Sequence, residues 1–152
     1  MAPKLRAGDR IIGYPVKLTS KIKRGDIVIF NVPFSSHYHI KRVIGMPNEK
    51  VMINRGKIFI NDRLLVGAKT IQTDFSNYKK EVSSGCYFLL GDNMRESQDS
   101  RNFGAIPLEN ILYKALMIYH PLKRFAFLER INHLKFWYNV FKSCISAKAD
   151  KI

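Results

Sequence analysis

The sequence predicts an all-β domain followed by a short basic helical tail. Short apolar runs rich in β-branched and aromatic residues recur from residue 27 to residue 119. Glycine, proline, asparagine and aspartate separate these runs, as is typical of turns between antiparallel strands. Beyond residue 120 the apolar residues change to a helical spacing. These three observations predict the fold class.

Each predicted strand is an apolar run bounded by turn residues. The first follows the turn at 23–26 and ends before Pro33, and the second stops at the turn 45–48. Two runs around Asn54-Arg55-Gly56 predict a hairpin. The predicted strands cover residues 27–30, 38–44, 51–53, 57–60, 63–65, 86–90 and 112–119.

Two segments fall outside this pattern. Residues 66–84 are mostly polar and irregular, so we expect a surface excursion within a domain that spans 1–120. Residues 121–152 are basic, and their apolar residues repeat at intervals of four and three, which predicts an amphipathic helix packed on the domain or lying on a membrane surface. The stripe consists of Phe127, Ile131, Leu134, Tyr138 and Phe141.

The charge of the chain indicates an anionic partner. It has 26 basic and 12 acidic residues and a formal charge of +14. Nucleic acid or an anionic membrane surface would suit this charge, and a basic surface with no specific partner is the simpler alternative. No zinc-ligand pair or aromatic RNA-binding strand is present, so we do not expect a nucleic-acid partner.

Other sequence features exclude several classes of site. Cys86 and Cys144 lack metal-ligand spacing, so no metal or other cofactor is expected, and a disulfide between them stays open. No run reaches the roughly 18 apolar residues that a membrane span requires. No basic-then-apolar leader is recognisable either.

Lys41 is a candidate catalytic residue because it lies inside an apolar predicted strand. Alternation places it on one face with His39 and Val43, whereas Ile40 and Arg42 face the other side. A lysine buried among apolar neighbours has a lowered pKa, which suits a general base. The alternative is an edge-strand lysine that reaches solvent.

The polar loop 91–101 is the second candidate. Asp99 and Arg101 are two residues apart, so in an extended loop they share a side and can form an ion pair. Such a pair would stiffen the loop and fix the direction of Ser97. Taken by itself, the loop is interpreted as a structural turn.

Four blocks, in order, make the chain resemble the type I signal peptidases, membrane-bound serine proteases that remove leader peptides. The resemblance spans about residues 1–119, and its last two blocks are the most specific. The blocks are Met1-x-Pro3-x-Leu5-x-x-Gly8-Asp9, the strand RGDIVIF at 24–30, IKRVIGMP at 40–47, and GDN through Ser97, Asp99-Ser100-Arg101 and Gly104.

The resemblance implies a signal-peptidase-like coiled antiparallel sheet and a Ser/Lys dyad. Lys41 would be the general base, Ser97 would orient the lysine, and Asp99 and Arg101 would be the supporting ion pair. The substrates would be signal peptides of exported preproteins, cleaved after small residues in an A-x-A pattern. The substrate-binding positions implied by the family are Met1, Pro3, Leu5 and Ile40.

The beginning of the chain departs from the family pattern. The nucleophilic serine should stand immediately before Met1, and the family's membrane anchor should lie further upstream. The chain as given is therefore expected to be inactive, and upstream codons are expected to encode both features. The expected location is the outer face of a bacterial cytoplasmic membrane. A non-catalytic remnant that binds leader peptides or membrane, or a basic nucleic-acid-binding domain, are the alternatives.

Overall fold

The computed structural model describes residues 1–16, 21–32, 37–66 and 77–128. The described chain is built almost entirely from antiparallel strands, which confirms the all-β prediction. The strands are β1 Arg10–Pro15, β2 Ile27–Asn31, β3 Tyr38–Gly45, β4 Lys50–Asn54, β5 Lys57–Ile60, β6 Arg63–Leu64, β7 Tyr78–Glu81, β8 Cys86–Leu90, β9 Ile106–Pro107, β10 Ile111–His120 and β11 Ala126–Phe127.

Helical structure among the described residues is limited to single turns. The α-helix α1 covers Ser100–Phe103, and 3₁₀ turns cover Leu108–Asn110 and Leu122–Arg124. Asp99 caps α1 by accepting a hydrogen bond from the backbone of Arg101. The capped turn fixes the direction in which the chain leaves the loop 91–99.

The strands form two sheets. The larger sheet has the order β1-β10-β2-β3-β8-β9, with β11 also paired to β10, and the smaller has the order β6-β5-β4-β7. Strand β8 is buried on both faces, because Tyr87 and Leu89 pack in one cluster and Phe88 and Leu90 in another. The second cluster contains the inward side chains of β4 and β5, so it joins the two sheets.

Strand β1 was not predicted, because Gly13 and Pro15 interrupt its apolar pattern. It pairs with β10, and Gly13 lies opposite Ala115. A Cβ at Gly13 would lie 3.0 Å from the carbonyl oxygen of Lys114, so the glycine permits the close approach of the two strands.

The segment 66–84 contains a strand that the expectation of an irregular excursion did not include. Tyr78–Glu81 forms β7, which pairs with β4 at the edge of the smaller sheet, and Val82 is buried. The sequence of β7 is YKKE, which has no apolar alternation. Backbone pairing holds this strand in place together with Tyr78, whose ring centroid lies 5.7 Å from that of Phe88.

The start of the basic tail belongs to the larger sheet. Phe127, predicted to begin the helical stripe, lies instead in β11, where it pairs with Met117. Its side chain packs edge-on against Phe125, with ring centroids 5.6 Å apart. The other four members of the stripe lie outside the described residues, as does Cys144.

Candidate active site

The register of three neighbouring strands fixes the position of Lys41. On one side it pairs with Val28 of β2, and on the other Arg42 pairs with Leu90 of β8. This antiparallel register brings Lys41 opposite Gly91, the first residue after β8. The Cδ atom of Lys41 is 3.7 Å from the point that a Cβ at Gly91 would occupy. The candidate lysine is thus packed against a residue that has no side chain.

Ser97 meets the same glycine from the loop that follows it. A Cβ at Gly91 would lie 2.1 Å from the Oγ of Ser97 and 2.6 Å from its Cβ. The Ser97 hydroxyl is buried, and within the described ranges no group forms a hydrogen bond with it. Because Lys41 and Ser97 both lie against Gly91, the two residues are neighbours.

Asp99 and Arg101 form an ion pair beneath this loop. The Nε of Arg101 donates to Oδ1 of Asp99 at 2.7 Å, and both side chains are almost completely buried. Arg101 also donates to the carbonyl oxygens of Met94 at 2.7 Å and of Ser97 at 3.1 Å. The pair therefore holds the backbone of the loop at two points, one of them Ser97 itself.

Two interactions at the site were missed by sequence analysis. The Ser100 hydroxyl is fully buried and accepts a hydrogen bond of 2.9 Å from the amide of Leu89, which ties the loop to β8. Arg42 makes a two-pronged contact with Asp92, with distances of 2.8 and 2.7 Å. For the hydrogen bond of Ser100, the available signal was the position of this residue next to Asp99, the helix cap. The second joins residues 50 apart and had no local signal.

The amino-terminal segment completes the site. Leu5 is a core residue of a cluster with Ile27, Ala115 and Ile118, and Met1 and Ile40 pack partly buried against it. Three of the four expected substrate-binding positions are thus brought together. The fourth, Pro3, is exposed and lies outside this cluster.

Burial favours the neutral form of Lys41. Burial lowers the pKa of Lys41, the Asp99 carboxylate opposes this shift, and the Arg101 guanidinium adds to it. The pKa of the Met1 amino group is also lowered, first by burial and then by the positive charge of Lys41, with Asp92 acting in the opposite direction. Lys41 and the start of the chain are therefore close enough to interact electrostatically.

Within the described part of the chain, a metal-binding cluster and a membrane-spanning helix are both absent. No group of three or more His, Cys, Asp or Glu residues could hold a metal ion. None of the helices there is long and apolar enough to cross a membrane. The Cys86 thiol is free in the structure.

Comparison with known proteins identifies relatives of the chain. The family model described as "Signal peptidase, peptidase S26" matches residues 1–120. Signal peptidase I U of Bacillus subtilis is 31% identical over 138 residues, which is 80% of this chain and 71% of that protein. Signal peptidase I of Bacillus caldolyticus is 32% identical over 145 residues, which is 84% of this chain and 78% of that protein.

A solved structure gives the same result. The crystal structure of a signal peptidase I from Enterococcus faecalis superposes with a TM-score of 0.52 at 29% identity, covering 60% of this chain and 94% of that one. With the family match and the Bacillus relatives, this similarity shows that the chain belongs to the signal peptidase family, peptidase S26, and is a serine endopeptidase of the signal peptidase I type.

Proposed function

We propose that this domain, when a serine precedes Met1, cleaves signal peptides through a Ser/Lys dyad in which Lys41 is the general base. The observation that carries this proposal is that Lys41 and Ser97 both approach the point that a Cβ at Gly91 would occupy. Burial lowers the pKa of the lysine, so a larger fraction of it is neutral near physiological pH than of an ordinary lysine. A neutral amine can accept a proton, which a charged lysine cannot do.

The nucleophile in this proposal is a serine joined to the amino group of Met1. That amino group interacts with the charge of Lys41, so a residue added there enters the space beside the lysine. Lys41 takes the hydroxyl proton as the serine oxygen attacks the scissile carbonyl, and then gives it to the leaving amine. A water molecule, deprotonated in turn by Lys41, hydrolyses the resulting ester and regenerates the serine.

Ser97 orients the lysine, and the ion pair of Asp99 and Arg101 holds Ser97. The unused hydrogen-bonding capacity of the Ser97 hydroxyl, buried next to Lys41, supports this role. Arg101 binds the carbonyl of Ser97 directly, which supports the role of the ion pair. The orientation of the Lys41 side chain is therefore expected to depend on the contacts that link Ser97 to Arg101 in α1.

The substrates are signal peptides of exported preproteins with small residues at the cleavage site, in an A-x-A pattern. Met1 and Ile40 are partly buried at the cluster beside Lys41, and their exposed portions are available for an apolar substrate side chain. Pro3 is exposed and can contact the substrate backbone. Leu5 is 7% exposed, so it contributes mainly by shaping the floor of the cleft.

Cleavage by a chain that carries the serine tests the proposal. The 152-residue chain is compared with the same chain preceded by a serine and an upstream segment taken from the B. subtilis relative, called the serine-extended chain below. We expect the serine-extended chain to cleave a preprotein with an Ala-x-Ala site and the 152-residue chain not to do so. Lys41→Met should abolish the cleavage, whereas Lys57→Met, which removes an exposed lysine from β5, should leave it unchanged.

The possible outcomes separate the alternatives. Cleavage that survives Lys41→Met refutes the dyad. A serine-extended chain that binds signal peptides without cleaving them supports a non-catalytic remnant. Tight, salt-sensitive DNA binding without binding to lipid vesicles would instead support a nucleic-acid-binding domain.

The second partner we propose is an anionic membrane surface on the outer side of the bacterial cytoplasmic membrane. The support is an exposed patch that combines apolar and basic residues after β10: Leu122 is 80% exposed and Phe125 is 53% exposed, next to Lys123. Apolar and basic side chains together favour anionic lipid interfaces. Sedimentation with vesicles tests this, and we expect Leu122→Ser with Phe125→Ser to reduce binding to anionic vesicles. Equal binding by the variant would contradict the assignment.

A further inference from the structure

The segment that follows β10 is fastened to the amino-terminal segment by one arginine. Arg124, at the end of the 3₁₀ turn Leu122–Arg124, donates from Nε to Oδ1 of Asp9 at 2.7 Å and from Nη2 to Oδ2 at 2.8 Å. The same Nη2 donates to the carbonyl oxygen of Lys4 at 3.2 Å. This contact joins residues 115 positions apart and holds the amino-terminal segment at two points.

Asp9 connects this contact to the local folding of residues 1–9. Its Oδ2 also accepts a hydrogen bond of 2.8 Å from the amide of Arg6, which closes the turn between them. One turn earlier, the amide of Leu5 donates to the carbonyl of Met1 at 3.0 Å. The path from Arg124 to Met1 therefore consists of two consecutive hydrogen-bonded turns, with no free length of chain between them.

The ion pair is maintained over the full physiological pH range. The Asp9 side chain is 3% exposed in the pair, and hydrogen bonds from Arg124 and from the amide of Arg6 lower the pKa of Asp9 to about 2. Its carboxylate is therefore ionised wherever a peptidase of this kind would work. A two-pronged contact between arginine and carboxylate also fixes orientation, which a lysine cannot do equally well.

The same segment makes a second contact with this end of the molecule. The amide of Leu128 donates to the carbonyl of Leu116 at 2.8 Å, and the Leu128 side chain packs against the cluster that contains Leu5. Met1 and Ile40 pack against that cluster as well. Residues 121–128 thus brace the segment that begins beside Lys41.

From these contacts we propose that Arg124 is a positioning residue, which holds residues 1–9 so that the start of the chain lies beside Lys41. The inference rests on the proposed function, because a nucleophile joined to Met1 would be aimed by this brace. Arg124 itself touches neither the substrate nor the lysine. Nothing in the family match or in the sequence motifs assigns it this role.

Hydrogen exchange of the 152-residue chain tests the brace without any requirement for cleavage. We expect Arg124→Ala and Asp9→Asn to accelerate amide exchange in residues 1–9 by about tenfold or more, as is typical when charge-assisted hydrogen bonds are lost. Arg124→Lys should give an intermediate rate. Lys123→Ala removes the same charge from the same turn without touching Asp9, and should have no effect. Unchanged exchange in Arg124→Ala would overturn the proposal.

A second measurement reports the position of Met1 itself. If Arg124→Ala releases the segment, the Met1 amino group loses its burial and its proximity to Lys41, so its pKa should rise toward the ordinary value. The pH dependence of its acylation rate measures this, and a general loss of stability in a chain that remains folded would not produce it. An unchanged Met1 pKa would also contradict the proposal.

Kinetics of the serine-extended chain then measure the effect on the reaction. Misplacing a nucleophile by about 1 Å costs on the order of 100-fold in rate, so we expect Arg124→Ala to lower kcat much more than it raises KM, with partial recovery in Arg124→Lys. Faster exchange with a kcat equal to that of Lys123→Ala would overturn the positioning role. If the serine-extended chain cleaves nothing, the proposed function fails, and exchange and Met1 acylation still decide whether Arg124 holds the segment.

Discussion

Substituting alanine for Gly91 should disable the site through one misplaced hydroxyl. The new methyl group would lie 2.1 Å from the Oγ of Ser97 and 2.6 Å from its Cβ. Real Cβ atoms do not approach other heavy atoms closer than 3.0 Å, so the hydroxyl must retreat by about 0.9 Å. The Cδ of Lys41 is 3.7 Å from the same methyl position, an ordinary contact. The perturbation therefore acts on Ser97 and leaves the lysine where it is.

The surroundings of Ser97 determine how large the effect is. Its carbonyl is held by Arg101, whose side chain is buried in the pair with Asp99, so the backbone cannot simply follow the displaced hydroxyl. Overpacking of this kind costs about 1–3 kcal/mol of stability. A displacement of about 1 Å at an orienting group can lower kcat by on the order of 100-fold. Both effects should be visible in one variant.

A double substitution separates strain from chemistry. Gly91→Ala combined with Ser97→Gly removes both atoms that the methyl group would strike, so the midpoint of thermal unfolding should recover. Cleavage by the serine-extended chain should not recover, because the hydroxyl is gone. Gly91→Ala with unchanged kcat and unchanged thermal midpoint would refute this account of how Lys41 and Ser97 meet.

Three further predictions concern stability. Asp26→Ala should lower the free energy of unfolding, measured in urea, by about 3–5 kcal/mol. The reason is that Lys114 is only 3% exposed and would lose the carboxylate that now lies 2.9 Å from its Nζ. A loss below about 1 kcal/mol would contradict this prediction. Ser100→Ala should cost about 1–3 kcal/mol by leaving an amide of β8 unpaired, and an unchanged urea midpoint would count against that bond. Burial lowers the pKa of Lys41, so the unfolded chain binds the lysine proton more tightly than the folded chain does. The free-energy cost of burying the charge is therefore present in full at pH values below the lowered pKa, and it disappears as the pH rises to 10.5. Lys41→Met should therefore raise the thermal midpoint near neutral pH, by an amount that shrinks toward pH 10.5, and a gain that grows with pH would be evidence of the opposite shift.

Most strands that sequence patterns predicted contain runs of buried apolar side chains, which alternate with more exposed residues in some strands and are buried on both faces in β8. The hairpin of β4 and β5 is an example, because Val51, Ile53, Ile58 and Ile60 all point into one cluster. Strands β1 and β7 were missed because neither has a continuous apolar pattern, and each is recognisable mainly by its backbone pairing with a neighbour. Such pairing depends on residues far along the chain, so the residues within the strand do little to predict it.

The candidate site likewise has features that the local sequence predicts and features that it does not. Lys41 could be singled out because a charged residue within an apolar strand is locally unusual. Its meeting with Ser97 could not be derived locally, since it depends on the register that pairs Arg42 with Leu90 and on the absence of a side chain at Gly91. The blocks of family resemblance carried that long-range information, which hydrophobic periodicity does not contain.

The arrangement of ion pairs explains why burial dominates the pKa of Lys41 although carboxylates lie nearby. Asp99 alone would stabilise the charged lysine, but it is paired with Arg101, whose charge opposes it at Lys41. Asp92 is likewise engaged by Arg42, at the other end of the same loop. Because each carboxylate is paired with an arginine, strong ionic hydrogen bonds hold the loop in place. The paired charges also largely cancel, so the net negative potential at Lys41 is small. Unpaired carboxylates in this loop would lose those hydrogen bonds and would present more negative charge to Lys41, which favours its protonated form.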